Sequence, residues 1–378
     1  MKRCLHFLKS ETVLCAAFTL AVVSAFLVPP DREYLDYIDF RTLAILFGLM
    51  SIMAGFQKLG VFRFIAEELL GRVKTDGQLV FILVMLCFFF SMVITNDVAL
   101  ITFVPFTFTV LKLLGEEKAH RLTVPVVVMQ TIAANLGSML TPIGNPQNLY
   151  LYGRAGISPG QFVKLMLPYT LCAFLLLSAW CLIQELREKG ERLDVVFGER
   201  TVLRGKGRAL TVYAVLFLLC LLTVAHILPY GVTLGVVAAA FLIMDRQVLA
   251  RVDYSLLLTF VGFFVFIGNM GRIPAFREFL QGIVTGNEVA VSVLASQVIS
   301  NVPAALLLSG FTTDYPALIV GTNLGGLGTL IASMASLISY KYVARSESGK
   351  KGKYLVYFTA ANLIFLAGML LLAEKIGG

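Results

Sequence analysis

The chain has 378 residues, 58% of them hydrophobic and 14% charged, with a formal net charge of +8. Charged residues make up about a quarter of an ordinary globular chain, so this one carries more apolar surface than a soluble core can bury. Its apolar runs are continuous rather than alternating, which excludes a β-barrel, and its Lys and Arg sit in a few loops, where they read as topology signals rather than a nucleic-acid surface.

Crossing about 30 Å of hydrocarbon takes about 20 helical residues, and the sequence divides into apolar segments of that order. The first, Thr12 to Val28, follows Lys2, Arg3 and Lys9 and is expected to be a retained span rather than a cleaved leader, with the N-terminus in the cytoplasm. After the acidic loop from Asp31 to Asp39, a span from Phe40 to Phe56 leads to a surface helix, Val61 to Leu70. Gln78 to Ile94 enters the membrane, breaks at Thr95-Asn96-Asp97 and returns as Val98 to Leu114. A hydrocarbon core offers no water to polar groups, so a chain broken there must sit inside protein or line a cavity.

Leu122 to Leu140 is interrupted by TPIGNPQN, Thr141 to Asn148, whose prolines and amides cannot continue an apolar helix, and resumes through Tyr152. Phe162 to Ile183 meets the most basic loop, Arg187 to Arg208, which reads as a cytoplasmic linker. Ala209 to Leu228 and Val232 to Met244 follow. From Asp253 the pattern repeats. DYSLLLTFVGFFVFIGNMG lies over DFRTLAILFGLMSIMAGFQ from Asp39, Ser300-Asn301 falls on Thr95-Asn96, and NLGGLGTLIASMAS from Asn323 falls on NLGSMLTPIGNPQN from Asn135.

The basic loops place the span after Asp39 running inward and the span after Asp253 running outward, so the expected architecture is all-α and polytopic, built from two inverted repeats. Residues 1–184 form the first, with a re-entrant hairpin at 78–114 and a broken helix at 122–152. Residues 185–230 are the linker and a connecting helix. Residues 231–378 form the second, with a hairpin at 287–311 and a broken helix at 315–340. Nine full spans and the two hairpins are predicted, with the C-terminus outside.

The four breaks should converge halfway across the membrane, where helix N-termini favour an anion and helix C-termini a small cation. The first half supplies Thr95, Asn96, Asn135, Thr141, Asn145, Gln147 and Asn148 as candidate ligands; the second supplies Ser300, Asn301, Thr322, Asn323, Thr329, Ser333 and Ser336. Neutral oxygens and amides of this kind share a carboxylate or hold Na+, although small hydroxyls also serve plain helix packing. Asp97, a carboxylate deep in an apolar run, is expected to ligate Na+ when ionised, carry a proton when neutral, or cap the helix from Val98. No cofactor is expected beyond a Na+ near Thr95, Asn96, Asp97, Ser300 and Asn301. The six Cys show no C-x-x-C spacing, and the three His are scattered, so no metal framework is implied. The glycines from Gly321 to Gly328 follow no soluble strand and read as close helix approach rather than a nucleotide loop.

ITNDVALI, TPIGNPQNL, ISNVPAALL and NLGGLGTL resemble the ion transporter superfamily, in particular the citrate transporter-like domain shared by divalent anion:sodium symporters and the membrane subunit of arsenite pumps. The resemblance spans roughly Asp39 to Ala373. In the symporters each hairpin carries a Ser-Asn-Thr signature that touches substrate carboxylate and Na+; here the hydroxyl and Asn are kept at both tips, and Asp97 and Val302 replace the final Thr. The Asn-Asp pair at the first tip looks more like the arsenite branch. The resemblance implies a scaffold with a moving transport domain, and a homodimer.

The expected function is secondary active transport of a di- or tricarboxylate anion coupled to Na+ or H+ by alternating access, in the cell's inner or plasma membrane. Arsenite or antimonite efflux and Na+/H+ antiport are the alternatives within transport. A passive channel and an intramembrane enzyme are more distant ones, since neither H-E-x-x-H nor G-x-S-x-G occurs.

Overall fold

A computed structural model describes residues 11–112, 114–188, 201, 203, 205–346 and 350–377. Lys2, Arg3, Lys9 and most of the basic linker lie outside the described residues. Every regular element among those described is helical.

The first half opens with α1 (Thr12–Leu27), the short α2 (Glu33–Asp36) and α3 (Phe40–Leu59). α4 (Val61–Leu70) lies past the left-handed Gly60, whose φ of 81° ends α3 and redirects the chain. Then come α5 (Asp76–Ile94), α6 (Asn96–Lys112), α7 (Glu116–Ser138), α8 (Pro146–Ala155) and α9 (Pro159–Glu188). The second half holds α10 (Gly207–Val224), α11 (Tyr230–Met244), α12 (Arg246–Leu249), α13 (Tyr254–Gly271) and α14 (Pro274–Val284). It continues with α15 (Glu288–Ile299), α16 (Asn301–Ser309), α17 (Tyr315–Leu324), α18 (Met334–Ser346) and α19 (Lys351–Gly377).

The predicted breaks are present, with shifted edges. The first hairpin runs from Asp76 to Lys112 and the second from Glu288 to Ser309; the broken helices span Glu116–Ala155 and Tyr315–Ser346. Nine full spans are predicted, two of them broken helices. Six described helices are long and apolar enough to cross a membrane, or seven if α14 and α15, bent by 109° at their junction, form one span. α1 and α11 have 16 and 15 residues, short of the length a span needs. α5 qualifies as a span by itself, and α14, an amphipathic helix, falls where only a loop was expected.

Matching local structure recurs in the two halves. Asp39 caps α3 at φ −78°, ψ 83°, its carboxylate accepting from Thr42 N; Asp253 caps α13 at φ −78°, ψ 82° and accepts from Leu256 N, each at 2.9 Å. Ion pairs fix how these two helices run. Lys58, in the last turn of α3, bonds Asp245 at 2.7 Å, eight residues before the cap of α13. Arg272, which ends α13, bonds Asp31 at 2.7 Å and the Tyr37 hydroxyl at 3.1 Å, just before the cap of α3. Each helix therefore ends where the other begins, and α3 and α13 are antiparallel. α1 covers α13, while α10 and α11 cover α3.

A second group of helices packs around α7, which touches α5, α6, α9, α17, α18 and α19. Close approach rests on glycine. A Cβ on Gly137 would lie 2.0 Å from the Phe88 carbonyl oxygen and 2.6 Å from Ser91 Oγ; one on Gly325 would lie 2.5 Å from Ser296 Oγ. Ser91 and Ser296 stand at matching positions of the two hairpins, so α5 meets α7 as α15 meets α17. α9 and α19 turn Leu171, Leu175, Val356 and Ile364 outward, as helices facing lipid do.

Candidate functional site

The two hairpin tips are strained in the same way. Thr95 sits at φ 68°, ψ 149° and Ser300 at φ 75°, ψ 154°, a region almost reserved for glycine and costing about 1–3 kcal/mol for other residues. Main-chain bonds hold each tip to the facing break. Asn96 N donates to Gly144 O at 3.2 Å and Asn301 N to Ala332 O at 2.9 Å. A hydroxyl bond doubles each: Thr141 Oγ1 donates to Met92 O, and Thr329 Oγ1 to Gln297 O at 3.1 Å.

Amides from both halves join behind the tips. Asn135 Oδ1 accepts from Asn96 Nδ2 and from Ser333 Oγ, each at 3.0 Å, while its Nδ2 donates to Gly326 O at 3.3 Å. Asn323 answers it from the second half, donating to Asn148 Oδ1 at 2.7 Å and accepting from Asn145 Nδ2 at 3.4 Å. Asn145 also donates to Ser138 Oγ at 2.7 Å. Asn135 links Asn96 to the Gly326 carbonyl, and the Asn301 amide lies close to the same glycine, where an added Cβ would come 3.1 Å from Asn301 Nδ2. These asparagines, Ser300 and Ser333 are all buried.

Several buried polar atoms at this centre have no partner: Asn145 Oδ1, both polar atoms of Gln147, Ser336 Oγ and one carboxylate oxygen of Asp97. Buried polar groups are nearly always paired, so these orphans at three of the four helix breaks stand out. Helices α6, α8, α16 and α18 all begin at these breaks, and α5, α7, α15 and α17 end at them; the first N–H groups of α6 and α16 are already taken by Gly144 O and Ala332 O, and α8 opens on a proline. Asp97 does not cap α6; the bond from its own N–H goes to Asn96 Oδ1 at 2.9 Å.

Not every expected residue joins the cluster. Thr329 is exposed and serves to hold the second break. Thr322 is turned back on Leu318 O in its own helix at 2.8 Å. One residue was missed. Gln297 donates to Gly325 O at 3.1 Å and Leu327 O at 3.0 Å and accepts from Thr329 N at 2.8 Å, which pins the loop around Gly328 at φ 110°. Met92 stands at its place in the first half, so nothing in the repeat pointed to it.

The citrate transporter family model matches residues 7–315. The chain is 33% identical over 324 residues to an inner membrane protein of Escherichia coli (strain K12), YbiR, covering 84% of each chain. It is 32% identical over 318 residues to an uncharacterized transporter of Methanocaldococcus jannaschii, MJ0456, covering 82% of each. An uncharacterized transporter of Mycobacterium tuberculosis (strain CDC 1551 / Oshkosh), MT2759, matches at 24% over 376 residues, 89% of this chain and 87% of that one.

Proposed function

The chain belongs to the citrate transporter family, and from that premise we propose that it is a secondary active carrier of di- or tricarboxylate anions, coupled to Na+ or H+ and working by alternating access. The observation that carries this reading is the asparagine cluster itself, drawn from both halves and left with unpaired amide and hydroxyl groups. Amide donors beside helix N-termini suit carboxylate oxygens without a buried cation, and the orphan oxygens of Asn145, Gln147, Ser336 and Asp97 suit Na+.

We read the halves as inverted repeats. The antiparallel run of α3 and α13, the matched caps and the matched tip torsions support it. In this reading the two hairpins are re-entrant, the N-terminus is cytoplasmic in the inner membrane, and two chains pair through lipid-facing helices. The anion is shared between Asn96, Asn301, Asn135, Asn145 and Ser333, with the cation beside Thr95, Asp97 and Ser300.

A second reading, exchange of Na+ for H+, is favoured by one observation: the Asp97 carboxylate keeps a buried oxygen without a partner, which invites a cation or a proton. Uptake of labelled citrate, succinate and arsenite into proteoliposomes, with and without Na+ or pH gradients, separates the readings. Gradient-driven citrate or succinate uptake is expected, lost in Asn96→Ala and Asn301→Ala. Saturable arsenite flux alone, or cation exchange with no anion uptake, would refute it.

A further inference from the structure

α6 and α18 both start at the central cluster, at Asn96 and just past Ser333, and pack along one another on their way out. Beside their contact is a cleft of about 170 Å³ lined by Ile101, Ile338, Lys341, Tyr342 and Arg345. Ile101 also lines a second opening of about 440 Å³, which reaches Gln57, Arg63 and Thr102. At 1.5 Å per residue, Lys341 lies about 12 Å and Arg345 about 18 Å along α18 from Ser333. Spaced by four residues, the two cations share one helix face. Among the described residues no carboxylate pairs with either, whereas Arg63 is held by Glu67 at 2.7 Å.

We propose that Lys341 and Arg345 form a capture site for polycarboxylate anions at the mouth of the groove between α6 and α18, on the path to Asn96 and Ser333. This rests on the anion-carrier reading above. The cations are too far out to touch an anion held at the asparagines, so they act on its arrival. A cleft of one sign with low-dielectric walls concentrates counter-ions and speeds their entry, and the effect weakens as salt screens it. Lys and Arg that only set membrane topology would serve as well from any exposed position on the same face, and their removal would leave transport kinetics alone.

Citrate influx into inside-out and right-side-out membrane vesicles separates these roles, with K351Q/K353Q as a control that removes the same charge from exposed positions at the start of α19. K341Q/R345Q is expected to raise KM roughly tenfold from the face bearing the pair. KM from the other face, Vmax and the control should not change, and the salt dependence of the wild-type KM should disappear. An unchanged KM on both faces, or an equal rise on both or in the control, overturns the proposal. So does an effect that vanishes in phosphatidylcholine vesicles, since the pair would then be holding anionic lipid. A readout without turnover comes from Ile338→Cys, which citrate should protect from a thiol reagent unless K341Q/R345Q is added. Absence of protection removes the capture site even where uptake is normal. Protection without uptake upholds the site and faults the carrier reading instead.

Discussion

Asn135 and Ser333 lie 198 residues apart and meet at a 3.0 Å hydrogen bond, so their coupling measures how firmly the two halves are joined. Replacing Asn135, which is 3% exposed, by Ala strands three groups: Asn96 Nδ2, Ser333 Oγ and the Gly326 carbonyl. An orphaned buried polar group costs about 1–3 kcal/mol, so Asn135→Ala is expected to cost roughly 3–6 kcal/mol after the remaining groups relax. Ser333→Ala removes one donor and leaves Asn135 Oδ1 still bonded to Asn96, for about 1 kcal/mol. The bond is absent from both single variants, so the double variant should be less destabilised than the sum, by about 0.5–1.5 kcal/mol. Reversible unfolding of the purified protein in detergent gives the four free energies, and citrate uptake on the same preparations shows whether the joint matters for transport. Additivity within about 0.3 kcal/mol, or an Asn135→Ala protein as stable as wild type, would refute the picture of a shared polar joint.

Gly137→Ala should be among the most damaging conservative changes, because the Phe88 carbonyl must retreat by about 1.5 Å to reach ordinary van der Waals separation. A loss of several kcal/mol is expected against almost none for Gly235→Ala, where a Cβ meets nothing within 4 Å; equal melting temperatures would argue against the close crossing. Thr95→Gly relieves a positive φ while deleting a hydroxyl, so thermal stability should hold or rise by about 1 kcal/mol as uptake falls, and a clear drop in stability would contradict the strain. Burial pushes Glu67 upward, but bonds from Thr201 and Arg63 outweigh it and hold its pKa below the usual 4.5. A depressed carboxylate stabilises the fold above its unfolded pKa, and that stability is lost as pH falls through the folded value. The melting-temperature gap between wild type and Glu67→Gln should therefore be full at neutral pH and close in acid, and a gap that widens in acid would overturn the assignment.

The sequence disclosed what violates the chemistry of its surroundings. Thr95-Asn96 and Ser300-Asn301 stood out because hydroxyls and amides interrupt apolar runs, and Asp39 and Asp253 because an acidic residue opens each matching span. Helix ends were less legible. α7 begins at Glu116, six residues before the expected Leu122, because Glu116 and Glu117 sit well at a helix N-terminus although they look like loop. α14 was hidden by Arg272, Arg277 and Glu278, whose charges suggest a loop until the apolar spacing of Phe276, Phe279 and Ile283 is read as one face. Span lengths were less legible as well: α1 and α11 stop at 16 and 15 residues although their apolar runs read as spans. Gln297 gave no signal, since its partners are main-chain atoms of a loop 28 to 32 residues further along.

On the proposed carrier reading, the paired ties from Asn96 N to Gly144 O and from Asn301 N to Ala332 O restrict how access to the centre could alternate. A flap that lifted one hairpin alone would have to break a main-chain bond and a hydroxyl bond in a medium that offers no replacement. In the alternating-access reading proposed above, the inexpensive displacement would leave all four half-helix pairs locked together and slide them as a single piston past the antiparallel α3 and α13, whose mutual fastenings are ion pairs at opposite ends.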